Sequence, residues 1–263
     1  MIQTGPTQPT ATGLRPSDAS PTSSTRSPTV STFRSFRPPP CFRWPRSPRG
    51  RCRPTGLSCP MARDGSETRA RLIAEAERQF AEVGIWQAAT GDIVEAAGQR
   101  NSSALTYHFG SRQGILDAVL AEHGNPIDAH RGDLLEAVDK DPDVRSLVDA
   151  LVRPMTAVLR TDRGRRYVRI VAQLADRFPT WRRPPEGVDH THLGRTLGLL
   201  ANQASGDSEA TREARLVAMI QLMTASLAAR AGELEHGEPT LDAEHYESHL
   251  VDVLVGVLTA SAT

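Results

Sequence analysis

The chain has 263 residues, 31 basic and 31 acidic side chains, and a formal net charge of zero. No apolar run approaches the roughly 18 residues that a membrane span requires, and Cys41, Cys52 and Cys59 all fall in the first sixty residues, which excludes a disulfide framework or thiolate zinc site in the remainder. The zero is an average of unlike parts: residues 1–60 hold nine Arg against Asp18, a net of +8, leaving −8 for residues 61–263.

Residues 1–60 are built of Pro, Ser, Thr and Arg, with twelve of the nineteen Pro. Phe33, Phe36, Phe42 and Trp44 stand isolated among them, so the segment cannot offset its ordering entropy and is expected to be disordered. A basic tail adding phosphate contacts and an organelle leader are the functional alternatives. Composition changes at Met61, and Arg outnumbers Lys thirty to one, as GC-rich coding gives. The favoured expectation is a true start at Met61, with the upstream frame open by chance. The three Cys have no metal-binding spacing.

From Ser66 onward the period is helical. Leu72, Ile73, Ala76, Phe80 and Val83 form one stripe, ended by Gly84. Short helices are expected at roughly 91–97 and 102–109, stopped by Gly98 and Gly110. Ser111 can cap the next helix, whose stripe is Ile115, Leu116, Val119 and Leu120, and the run His123-Gly124-Asn125-Pro126 is expected to break it. Amphipathic segments follow at about 126–139, 143–160, 163–178, 190–204, 208–232 and 242–259. Pro142, Pro179, Pro184, Pro185 and Pro239 mark joints, and Pro154 predicts a kink or break. No segment alternates as a strand, so the expected fold class is all-α. The last two helices are apolar on more than one face. Leu216, Ile220, Met223 and Leu227 are flanked by Val217, Met219 and Leu222; Leu250, Leu254 and Val257 by Val251, Val255 and Leu258. That breadth predicts packing on the chain's own core and on a second copy.

The segment 91–112 carries the chemistry. Two short helices meet at a Gly-containing turn, the form of a helix-turn-helix. Ile93, Ala96 and Ala97 are expected to face the core, and Leu105 and Phe109 to anchor the second helix inward. Arg100, Asn101, Ser102, Ser103, Thr106, Tyr107 and His108 then face outward, and such donors and rings reach base edges and phosphates. Charge supports this locally: residues 96–116 contain Arg100 and Arg112 and no acid, although residues 61–123 total −3.

With these residues in place, the segment 68–123 resembles the DNA-binding domain of the tetracycline-repressor (TetR) family of bacterial transcriptional regulators. The resemblance rests on residues 68–73, 80–84 and 92–98, and on Leu105-Thr106-Tyr107-His108-Phe109-Gly110-Ser111-Arg112. It implies an N-terminal three-helix DNA-binding domain (61–123) and an antiparallel helical effector-binding and dimerisation domain (124–263). It also implies a cytoplasmic, nucleoid-associated homodimer that binds a double-stranded operator, represses, and is released by a small molecule. In the family's pattern Tyr107 and His108 contact the DNA backbone, Arg112 contacts a phosphate, and residues 100–104 read bases. Three departures stand out: a turn one residue longer at Gln99-Arg100-Asn101, Gly91 where an Arg is common, and Ala88-Ala89 in place of a capping hydroxyl, which leaves Thr90.

Other sites weigh less. His245 and His249 share a helix face but not the zinc-protease order, and His190 and His192 read as surface. Gly194 and Gly198 share a small-residue spacing that is weak outside a membrane. No phosphate loop, nucleophile elbow or paired-carboxylate cleft appears, so no enzyme, cofactor, metal or membrane association is expected. The alternative is a helical ligand sensor or scaffold without DNA binding. An effector pocket is expected among Met155, Tyr167, Gln173, Phe178, Trp181, Met219 and Met223.

Overall fold

The computed structural model describes residues 65–138, 141–175 and 187–261. All of these lie within one compact unit, Ser58–Thr263. The expectations about residues 1–60, Phe178 and Trp181 fall outside the described residues. Among the described residues the elements are α1 (Gly65–Glu82), α2 (Thr90–Ala96), α3 (Ala104–Phe109), α4 (Arg112–Ala137), α5 (Val144–Val158), α6 (Asp162–Leu174), α7 (Thr191–Gln203), α8 (Glu209–His236) and α9 (Ala243–Thr259), with no strand. The fold is all-helical.

Local chemistry sets most boundaries. Asp143, Thr161, Ser208 and Asp242 each precede a helix and accept a hydrogen bond from a first-turn backbone N–H. Ser111 does the same for α4 through Gly114 N at 3.0 Å. Gly98 and Gly110 turn the chain with φ of +70° and +72°, a region that costs a residue with a Cβ. Thr90 does not cap α2, which begins at that residue without a side-chain cap.

Helices α1, α2, α3 and the first half of α4 enclose a core of Leu72, Ile73, Phe80, Ile93, Leu105 and Ile115. The second half of α4 packs with α5, α7 and α6, while α8 and α9 pack on α6, α5 and each other. Helix α1 rests directly on α6, so α6 is the shelf that carries the N-terminal helices.

Four expectations change. First, α4 does not break at 123–126 but runs unbroken to Ala137 through Pro126. Tertiary contacts hold it there. Asn125 donates to Gly187 O (3.2 Å) and accepts from Asp189 N (2.8 Å), and the His123 ring stacks on Tyr167 at 4.9 Å. Second, of the kink or break expected at Pro154 the break is absent: α5 continues through it as one helix. Third, Val83 lies beyond the end of α1 and is 56% exposed. Fourth, Ala96 faces solvent and Val94 takes the core position.

Candidate functional site

The outer surface of α2, α3 and their turn is the first candidate. Leu105 is buried and Phe109 packs on the core beneath the Arg69 guanidinium, 5.1 Å from its ring centroid. That anchoring exposes Arg100, Asn101, Ser102, Ser103, Thr106 and Tyr107 together, Tyr107 to 84%. His108 is half-buried, edge-on to Tyr107 at 5.0 Å. The Asn101 carboxamide oxygen accepts from Ser103 N (3.0 Å) and Ser103 Oγ (2.7 Å), folding the turn and satisfying a donor at the entry to α3. Arg112 departs from its expected place. Its guanidinium turns inward, donates to the Ile85 carbonyl and lies 5.6 Å from the centre of the Phe80 ring. It braces the end of α1 against α4.

The second candidate is a cavity among α4, α5, α6, α7 and α8, enclosing about 100 Å³. Of the expected pocket residues, Met155, Tyr167 and Met223 line it. Met219 is fully buried and does not line it. Gln173 serves elsewhere, donating to Phe80 O (2.9 Å) and accepting from Ile85 N (2.8 Å), so it fastens α6 to the end of α1. The sequence reading missed Asp128 and Arg131, which are 2% and 3% exposed and paired at 2.7 Å on the cavity wall. On a helix an i, i+3 acid–base pair normally reads as solvated surface, so only burial singles it out.

Between the two candidates lies a buried ionic cluster. Glu77 of α1 is fully buried; it accepts from Arg163 Nη2 of α6 at 2.6 Å and meets His123 Nε2 of α4 at 2.9 Å. Burial alone raises a carboxyl pKa, but the hydrogen bonds and charges of His123 and Arg163 outweigh it and hold Glu77 below the usual carboxylate value. His123 also stacks on Tyr167, whose hydroxyl burial pushes up to about 12. A chain of contacts thus runs from the cavity wall to α1.

Residues 72–119, which span most of α1, all of α2 and α3 and the start of α4, match the family model of bacterial regulatory proteins, tetR family. This is a tetR-family domain. Two solved structures of one protein agree at the level of the fold. NalD of Pseudomonas aeruginosa, the secondary repressor of the MexAB-OprM multidrug efflux pump, is similar at 18% identity and a TM-score of 0.50, over 76% of this chain and 99% of that one. A second structure of NalD gives 17% identity and 0.50, over 76% and 100%. GusR of Salmonella enterica is similar at 21% identity and 0.40, over 73% and 95%. No curated protein matches the chain in sequence. Among the described residues no helix is long and apolar enough to cross a membrane, and no three His, Cys, Asp or Glu cluster as a metal site.

Proposed function

We propose that the chain is a sequence-specific DNA-binding transcription regulator: a non-enzymatic homodimer that represses from a palindromic operator and is released when a small molecule enters the cavity. It acts in the bacterial cytoplasm on the nucleoid. Residues 61–123 bind DNA and 124–263 bind the effector and the second copy, with α4 crossing the boundary as one rigid element. Arg100, Asn101, Ser102 and Ser103 choose the sequence, while Thr106, Tyr107 and His108 position the protein on the backbone. Arg112 holds the helices that present them. The observation that carries this reading is the acid-free face at 100–107, exposed as a unit by the anchoring of Leu105 and Phe109.

Dimerisation rests on a second face of the last two helices. Ala214, Ala218, Leu222, Ala225 and Ala229 of α8 are exposed at helical spacing, as are Val253 and Gly256 of α9. Small side chains there let a second pair of helices approach closely.

Selection of the full chain against random duplex DNA tests the reading. The expected result is an inverted repeat with half-sites about one helical turn apart. Enrichment of no motif would favour the sensor or scaffold alternative, which the net −3 of residues 61–123 supports.

A further inference from the structure

Arg131 is placed where a cation is costly. The residue is 3% exposed and lines a largely apolar cavity, and its Nε finds no hydrogen-bond acceptor. Its partner Asp128 is shared. Asp128 Oδ1 accepts from Arg131 Nη1 at 2.7 Å and from Leu193 N at 2.8 Å, and Oδ2 accepts from His192 N at 2.9 Å. One carboxylate therefore neutralises both the guanidinium and the N-terminus of α7. Desolvation outweighs the attraction of Asp128 and lowers the Arg131 pKa.

The other polar groups of the wall are Asp189, Thr224, His190 and Tyr167. Asp189 accepts from Thr191 N (2.9 Å) and Thr191 Oγ1 (2.7 Å), on the exposed side. Thr224 Oγ1 donates within its own helix to Ile220 O at 2.9 Å. Burial lowers the pKa of His190, so its ring is neutral near pH 7. Tyr167 is protonated there and brings a hydroxyl donor to the cavity wall. The cavity thus offers two donors, the Arg131 Nε–H and the Tyr167 hydroxyl, amid Leu120, Met155 and Met223.

We propose that this cavity binds a compact carboxylate: an apolar body the size of a single ring, whose acid group accepts hydrogen bonds from Arg131 and Tyr167. This rests on the reading of the cavity as the effector site and names the chemistry of the effector. A neutral acceptor satisfies Nε–H but leaves the guanidinium dependent on a carboxylate already bonded to two backbone N–H groups. An anion satisfies both needs. The volume of about 100 Å³ limits the body to one ring at most: an apolar cavity that accepts benzene measures ~150 Å³, so the flexible Met155 and Met223 have to shift to admit it.

The test is calorimetric titration of the full chain with benzoate, benzamide and benzylammonium, which share shape and differ in charge. Benzoate binds, benzamide binds roughly tenfold to a hundredfold more weakly, and benzylammonium does not bind. Arg131→Gln removes the preference of benzoate over benzamide. Because that variant leaves Asp128 buried beside a neutral group and can lose the fold, Tyr167→Phe is titrated too. It keeps the ring on His123 and weakens benzoate by several-fold. Equal affinity for benzoate and benzamide, or no binding by any of the three, overturns the proposal. Operator affinity with and without benzoate separates this from the broader reading. Arg131-dependent benzoate binding without effect on DNA leaves the carboxylate site standing and removes the effector role. Release by benzamide as readily as by benzoate does the reverse.

Discussion

Asn101 and Arg112 each support the structure that presents the outward face of α3, and their variants should show it. Asn101→Ala loses the acceptor that organises the entry to α3 and is expected to cost about 1 kcal/mol of stability along with sequence preference. Arg112→Ala loses its bond to the Ile85 carbonyl and its place over Phe80, so a fall in stability of roughly 1–2 kcal/mol should precede any change in DNA affinity. Tyr107→Phe leaves stability unchanged and weakens operator and random DNA alike. Thermal melts beside affinities for both DNAs check all three; a Tyr107→Phe variant that alters the preferred motif contradicts the backbone role. Glu77 carries a pH dependence. Its pKa is depressed in the fold, so its stabilisation is complete above the ordinary Glu value and is lost as pH falls through the lower folded value. Glu77→Gln should cost about 1–2 kcal/mol at pH 7, and the gap from the unaltered chain should close on acidification. Denaturant melts of both proteins across acidic pH read this directly.

Helix α4 joins the two candidate sites and contains its own weak point. At Pro126 it lacks one backbone donor within a 26-residue helix. Contacts of His123 and Asn125, both just before it, hold the course of the chain. Pro126 is exposed, so Pro126→Ala should restore the bond without disturbing packing and raise stability by about 1 kcal/mol or more. A lower melting temperature would show instead that the helix needs the bend proline imposes. Helix α7 shows the complementary case, a start made from outside the segment. Its N-cap residue His190 supplies no side-chain cap, while Asp128 of α4 accepts from two of its first-turn N–H groups.

At the scale of the whole molecule, the outward faces of α8 and α9 govern assembly. Ile220 lines the cavity and Leu254 is fully buried, so charges there would unfold the protomer. Leu222 and Val253 are each 37% exposed. The pair Leu222→Glu and Val253→Glu should therefore yield a folded monomer by sedimentation and circular dichroism, with operator affinity reduced because paired half-sites need paired domains. A folded dimer in that variant places the interface on another surface.

Periodicity, caps and glycines in the sequence located nearly every helix, because those signals act over one or two turns. The anchoring of the α3 face was equally legible, since Leu105 and Phe109 at a spacing of four fix which side Tyr107 presents. Arg112 was not, because its partner, the Ile85 carbonyl, lies twenty-seven residues away in sequence. The continuity of α4 was hidden for the same reason: local propensity favours a break at Gly124-Asn125-Pro126, and distant contacts override it. Asp128, Arg131, Glu77 and Arg163 look in sequence like solvated charges on amphipathic helices. Burial makes them a cavity wall and an interhelical clamp, and burial is a property of packing between segments far apart in the chain.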